Sequence, residues 1–296
     1  MPTGYMKRLL QEIRGKRRYL WSLSHFRDAP ASTLCRLVRW ILHCALGIPA
    51  TVHLNPWGVR LFLPARWRGA GTTMIFAVRS HYERELRYLH HFVAPGMVVV
   101  DGGASCGIYT TVAARLVGPS GRVLSFEPGA EAFSVLAKNI QLNHLTNVRA
   151  HCAALSDRDG RAQLYHLDRG PNSFSIGRPK NTAVESEEVV TRTLDEMFRK
   201  EGIERVGLIK LDTEGAEELV LRGAGQSIAR SRPTIIFEVN AVAARQLGLH
   251  PYGAWELLMK WGYGFLFLTE SGDLRDLDEP PMADNIQNVI AVHGGQ

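Results

Sequence analysis

Cysteine is scarce in this chain: 4 in 296 residues (Cys35, Cys44, Cys106, Cys152), scattered and without a Cys-x-x-Cys pair. That spacing excludes a disulfide-stapled fold and a Cys/His zinc module, and it suits reduced thiols in a cytoplasmic compartment. Charged residues are held to 22% and apolar residues reach 45%, which excludes a disordered chain. No internal repeat or low-complexity tract is present. Long hydrophobic runs are missing too. The most apolar segment, Leu34 to Leu46, is interrupted by Arg36, Arg39 and His43 and is too short to span a bilayer. The N-terminus lacks the apolar run and small-residue cleavage site of a signal peptide. These absences leave a soluble, enzyme-sized globule.

The net charge of +6 is unevenly placed. Residues 1–40 hold nine basic side chains (Lys7, Arg8, Arg14, Lys16, Arg17, Arg18, Arg27, Arg36, Arg39) against Glu12 and Asp28, and the remaining chain is close to neutral. A diffuse positive charge would suit nucleic acid, and none is expected as a partner. A basic arm on a neutral body instead suits an anionic membrane surface met through residues 1–46, with a solvated charge run as the plainer alternative. Arg36, Arg39 and His43 fall on one helical face, opposite Leu34, Val38, Trp40, Ile41 and Leu42. Such an amphipathic helix packs on a domain or lies on a membrane.

Three regions follow. Residues 1–50 form the basic amphipathic helical appendage, closed by Gly47–Pro49. Residues 51–95 hold a hairpin around Asn55-Pro56-Trp57-Gly58 and a helix from His81 to Phe92. In residues 96–296, apolar strands at Met97–Val100, Val123–Phe126, Val148–Leu155, Leu208–Leu211 and Ile235–Val239 alternate with helical stretches. Strands apolar throughout and separated by helices imply a parallel sheet covered on both faces, a doubly wound α/β fold. Gly264–Thr269 and Asn288–Val292 follow through turns, which suits a reversed last strand. Arg169 to Glu188, rich in Gly, Pro, Asn and Ser, reads as a lid.

Ligands of such sheets bind beyond the carboxyl ends of the strands, where strand order reverses. The first strand runs into Val100-Asp101-Gly102-Gly103-Ala104-Ser105-Cys106-Gly107 and then a helix. Gly103 and Gly107 let backbone approach a ligand, and the helix N-terminus offers free N–H groups. The dinucleotide pattern Gly-x-Gly-x-x-Gly is absent. Asp101 would repel a pyrophosphate but complements a ligand with ammonium and sulfonium charges. The second strand ends in Phe126-Glu127-Pro128, placing a carboxylate for two ribose hydroxyls.

An acid followed by Gly-x-x-x-Gly looks like the first motif of class I S-adenosylmethionine (SAM) methyltransferases. Downstream come Asn139, Asn143, Asn147-Val148, Ala153-Ala154-Leu155-Ser156-Asp157, Asn172-Ser173 and Thr193-Leu194-Asp195-Glu196. Lys210-Leu211-Asp212-Thr213-Glu214-Gly215-Ala216-Glu217 and Ile236-Phe237-Glu238-Val239 complete the series. This succession resembles the FkbM family of SAM-dependent methyltransferases, from about Tyr82 to Val292; Ser105 and Cys106 stand where the family usually has Asn and Ile. The resemblance implies a mostly parallel seven-stranded sheet of the class I methyltransferase type. It implies SAM as cofactor, held by Asp101, Gly103, Ala104, Ser105, Gly107, Glu127 and Ala154. The implied reaction methylates a hydroxyl of a small-molecule or glycan acceptor: a sugar, a glycolipid or a secondary metabolite.

Lys210 and Asp212, two apart on one strand, share a face. A lysine in a buried strand must be paired or deprotonated. Asp212 is the candidate base or substrate anchor, with Lys210 and Glu238 as its tuning partners. A purely structural ion network is the alternative role. Mg2+ held by Asp212, Glu238 and Asn240 is a secondary reading. On function, the alternatives are an NAD(P)-dependent oxidoreductase and a non-catalytic membrane-associated scaffold. The acceptor and the oligomeric state are not legible.

Overall fold

The computed structural model describes residues 26, 29–66, 70–166, 174–175, 185–283 and 285–294. Helix α1 (Pro30–Leu46) leads into a hairpin of β1 (Ala50–Leu54) and β2 (Val59–Leu63), then α2 (Ala70–Val78) and the short α3 (Arg84–Arg87). The body runs β3 (Val98–Gly102), α4 (Ile108–Val117), β4 (Arg122–Phe126), α5 (Ala130–Leu142), β5 (Val148–His151), β6 (Ala154–Leu155), β7 (Gly160–His166), β8 (Phe174–Ser175) and β9 (Ser186–Arg192). It continues through α6 (Leu194–Glu201), β10 (Leu208–Leu211), α7 (Glu217–Arg222), α8 (Gly225–Ser231), β11 (Thr234–Val239), α9 (Ala241–Gln246), α10 (Gly253–Lys260), β12 (Tyr263–Leu268), β13 (Leu274–Asp276) and β14 (Gln287–His293).

The central sheet has the order β13-β12-β14-β11-β10-β3-β4-β5. Strands β5, β4, β3, β10 and β11 pair in parallel, and β14 runs antiparallel between β11 and β12. The reversed last strand is therefore present. From β3 the chain builds outward through β4 and β5, then returns to β10 on the other flank of β3. Strand order thus reverses between β3 and β10, and the crevice for a ligand opens there. An eighth strand, β13, adds a short edge on β12 beyond the seven expected. All four residues of β10 are buried, as a strand with both faces covered requires. One face carries α4 through Val112, Ala113 and Val117; the other carries Phe198, Val220, Leu221 and Leu258.

Two local expectations are corrected, and a third falls largely outside the described residues. Val148–Leu155 is two strands: β5 ends at His151, and β6 joins a separate sheet of order β6-β9-β7-β8. The stretch His81–Phe92 is broken into single turns, with Glu83 extended at φ −137° and ψ 151°, because Glu83 and Glu85 turn into a polar cluster described below. The lid assigned to Arg169–Glu188 falls largely outside the described residues, and its last three residues already belong to β9.

The sidedness of α1 is also corrected. Trp40, grouped with the apolar face, lies instead on the side of Arg36 and His43, and that side packs inward. Its indole donates from Nε1 to Thr73 Oγ1 at 2.9 Å and its ring lies 4.9 Å from that of Phe76, while Arg36 donates to the Ala77 carbonyl.

Two asparagines of α5 clamp the hairpin to the body. Asn139, fully buried, accepts from Phe62 N at 2.6 Å and donates to the carbonyls of Phe62 and Cys106. Asn143 accepts from Arg60 N and donates to Arg60 O. The side-chain amides act as an added strand edge for β2. Asn139→Ala strands three backbone groups, and we expect a loss of about 2–5 kcal/mol in urea unfolding at unchanged m-value.

Candidate active site

The loop after β3 is stitched to both neighbouring strands. Gly103 N and Ala104 N both donate to the Phe126 carbonyl, at 2.9 and 3.0 Å, and Asp212 N donates to Gly102 O at 2.9 Å. Gly103 has φ +77°, and a Cβ there would stand 1.8 Å from the Asp212 carbonyl oxygen. No other residue fits between the two strands. Ser105 adopts φ +50° without being glycine, a conformation that costs roughly 1–2 kcal/mol. Its N–H donates to Glu127 Oε2 at 2.8 Å, which offsets that strain.

Glu127, buried at the end of β4, also accepts from Gly129 N through Oε1. Each of its oxygens thus takes one backbone N–H. A carboxylate has about four acceptor positions, so two stay open for a ligand diol. Burial pushes this carboxyl up to about 7, against the two amide bonds that pull it down. The positive-φ loop and this carboxylate fit the ribose and backbone-contacting demands of SAM. Asp101 lies beside this loop, inside the carboxyl edge of the sheet. Its carboxylate is buried, accepts from Thr110 Oγ1 at 2.6 Å and pairs in register with Lys210. It braces the start of α4 from inside. Ala104 and Ala154 are both buried, Ala154 in a small apolar cluster with Ala132, Leu164 and Val189.

Lys210 is almost sealed, with 3% of its side chain exposed, and its Nζ lies 2.9 Å from Asp212 Oδ2. Asp212 is 33% exposed at the mouth of the crevice. Burial opposes the lysine charge, but Asp212, Glu83 and Asp101 outweigh it and raise its pKa, so Lys210 is a held ammonium. Its Nζ also lies 4.8 Å from the Tyr109 ring centroid. Tyr109 donates its hydroxyl to Glu83 Oε2 at 2.5 Å, and Asn288 on β14 donates to both Glu83 and Glu85. Burial pushes Glu83 up to about 7, with Asp212 and Glu85 adding to the rise and Lys210 and Tyr109 opposing it.

Sequence pattern does not single out Glu83, Tyr109 or Asn288. They come from three distant segments, and only Glu83's acidity in a helix-spaced stretch offers any signal.

Glu238, at the end of β11, is half-buried, and burial followed by Asp212, Glu214 and Glu217 pushes its carboxyl well up. Of the three candidate catalytic side chains, Lys210 and Asp212 are in direct contact, and Glu238 is linked to them only through the charge of Asp212. Glu217 serves a different purpose, because its Oε1 accepts from Thr213 N and Thr213 Oγ1 and so pins the turn after β10. Asn240 spends its Oδ1 capping α9 at Ala243 N and turns Nδ2 toward Glu238 Oε2. Among the described residues, no group of three or more His, Cys, Asp or Glu side chains is arranged to hold a metal. The Mg2+ reading gains no support from this geometry.

The strand order, the glycine loop at the switch point and the acid ending β4 define a class I methyltransferase fold. Residues 101–267 match the methyltransferase FkbM domain model, more than half of the chain, and the protein belongs to that family. It is similar to methyltransferase 1 of Beauveria bassiana, with 32% identity over 143 residues, 42% of this chain and 57% of that protein. The 2-O-methyltransferase NoeI of Sinorhizobium fredii is 29% identical over 47% of this chain and 61% of its own length. The 31-O-demethyl-FK506 methyltransferase FkbM of Streptomyces tacrolimicus is 28% identical over 63% of this chain and 80% of its own. The chain spans about three fifths of the length of the Beauveria and Sinorhizobium relatives it matches. A crystal structure of methyltransferase FkbM from Methylobacillus flagellatus superimposes with a TM-score of 0.44 at 15% identity, covering 87% of this chain and 59% of that one.

The raised carboxyls have a stability consequence. Glu127 moves from an ordinary 4.5 to about 7, so the folded state binds its proton more tightly than the unfolded chain. Its contribution is fully present below the unfolded value and lost as pH rises through the folded one. Glu127→Gln has no such titration. Thermal melts from about pH 5 to about pH 8 should show the variant losing less midpoint temperature than the wild type over that window.

Proposed function

We propose that this protein is a SAM-dependent O-methyltransferase acting on a hydroxyl of a sugar, glycolipid or secondary metabolite. One observation carries the reading: the ribose-type carboxylate Glu127 and the half-open pair Lys210–Asp212 flank the same loop, from β4 and from β10. Two relatives lend the oxygen acceptor, since their names place the methyl group on a 2-O and a 31-O position.

When bound, SAM supplies an electrophilic methyl group on a positively charged sulfur. The chain itself then contributes placement and proton handling. The loop 101–107 and Glu127 orient the cofactor. Asp212, exposed at the crevice, accepts the hydrogen bond of an incoming hydroxyl and takes its proton as the oxygen becomes bonded, a role worth about 10²–10⁴ in rate. Lys210 keeps that carboxylate on the acceptor side by a fixed ion pair. Glu238, across from Asp212, holds the neighbouring negative charge in check by favouring its neutral form. Glu83, held by Tyr109 and Asn288, adds to the negative field that keeps Lys210 charged.

Calorimetric titration with SAM, its demethylated product and NAD in parallel tests the cofactor. SAM and its product should bind, and Glu127→Ala should weaken them ten- to a hundredfold, the loss of about 1.5–3 kcal/mol from a charge-assisted acceptor. Binding of NAD without SAM would overturn the reading.

Asp212→Asn should leave SAM affinity nearly unchanged and lower turnover on a hydroxylated acceptor by about 10² or more. Lys210→Met is the structural companion, costing about 3–5 kcal/mol by stranding buried carboxylates. Wild-type turnover in a stable Asp212→Asn protein would remove Asp212 from the chemistry, and abolition of a chelator-sensitive Mg2+ requirement would reassign it to a metal.

A further inference from the structure

Helix α1 is held by one face and, among the described residues, exposes the other. Trp40 is fully buried, and its bond to Thr73 with that of Arg36 to Ala77 O fixes the rotation of the helix on α2. The helix therefore presents Leu34, Val38, Ile41, Leu42 and Leu46 outward, followed by Ile48, all 42–69% exposed. Within the helix their spacing makes one continuous stripe from Leu34 to Leu46, about 18 Å along its axis. Scattered exposed aliphatics are ordinary; a full helical face of them marks an interaction surface.

The chemistry beside the stripe selects the partner. Arg39 is exposed at its border. Arg79 lies with its guanidinium 4.7 Å from the Phe76 ring on the adjoining turn. Burial first, and then the charges of Arg36 and Arg39, pull the Arg79 pKa down to about 10. The sequence adds the strongest concentration of positive charge in the chain, over residues 1–40. A second protein copy would bring an identical cationic border against this one, and like charges would oppose the contact. An anionic lipid surface meets both needs, apolar depth for the stripe and phosphates for the arginines, the two signals that stable peripheral binding requires. No helix among the described residues is long and apolar enough to cross a membrane, so the contact lies in the membrane plane.

We propose that α1 is an in-plane membrane anchor, seating the Leu34–Val38–Ile41–Leu42–Leu46 face in an anionic lipid interface with Arg39 and Arg79 at phosphate level. The anchor stands apart from the methyl-transfer reading and is tested without it. The full chain is cosedimented with phosphatidylcholine vesicles and with vesicles containing phosphatidylglycerol, at low and high salt. It should partition onto the anionic vesicles, less so at high salt. Val38→Glu with Ile41→Glu should reduce partitioning at least about tenfold with the melting temperature kept, since both positions face solvent. Should that pair fail to fold, Val38→Ser with Leu42→Ser reads the same partition through a milder change. Arg39→Glu should weaken binding and flatten its salt dependence. Absence of vesicle binding by the wild type overturns the proposal, as does unchanged binding by a folded stripe variant. Light scattering that finds a wild-type dimer, made monomeric by the stripe substitutions, would assign the face to a second copy and overturn it equally.

Discussion

A single buried ammonium organises the functional end of this molecule. Lys210 sits in the middle of the central sheet, paired in register with Asp101 on one side and Ile236 on the other. A lysine charge in such a place is tolerated only with close opposite charge. The chain supplies more than enough: Asp212 in direct contact, with Glu83 and Asp101 acting on it from neighbouring elements. The surplus of negative charge has its own consequence. Burial raises Glu83, Glu85 and Asp101, and the charge of Asp212 adds to the rise at Glu83 and Asp101. One buried cation thus gathers carboxyls from separate segments of the chain around it.

The same constraint reaches the ligand loop. Asp212 is held by its side chain to Lys210 and by its backbone N–H to Gly102. Its carbonyl occupies the space that any side chain at position 103 would need. The cofactor loop and the proton-handling carboxylate are thus built against each other, backbone to backbone. A shift in one is transmitted to the other without passing through a flexible side chain. Beyond β10, Glu217 closes the turn, and Gly215 at φ +93° lets that turn approach α9, where a Cβ would come within 2.5 Å of Ala244 N. The acidic motif 210–217 is accordingly divided in labour, its first half electrostatic and its second half architectural.

Much of this was legible in the linear chain. Largely apolar stretches at Met97–Val100, Val123–Phe126, Leu208–Leu211 and Ile235–Val239 suit strands covered on both faces, and their order in the chain with helices between them implies a doubly wound sheet. The spacing of Lys210 and Asp212 puts them on one strand face whatever the tertiary fold, and burial then forces their pairing. The positions of Gly103 and Glu127, each just past an apolar strand, placed them at the sheet's carboxyl edge. Local chemistry with a period of two or of three to four residues is carried by the sequence itself.

What the sequence could not carry were contacts between distant segments whose local patterns point elsewhere. Glu83 lies in a stretch spaced like a helix, yet it is extended because Tyr109 and Asn288 claim its carboxylate from 26 and 205 residues away. Asp101 reads as a ligand acid, and only the fold shows that it also accepts from Thr110 and lies beside Lys210. Trp40 reads as part of an apolar face, yet it is the one aromatic of α1 with a hydroxyl partner on α2, so it turns inward and leaves the aliphatic stripe outside. In each case the outcome was decided by which polar group found a partner in the folded chain: at Glu83 it broke the helix, and at Trp40 it set which side of the helix turns inward. Burying a polar group unpaired costs more than exposing several methyl groups, and that comparison exists only once the tertiary structure has brought the partners together.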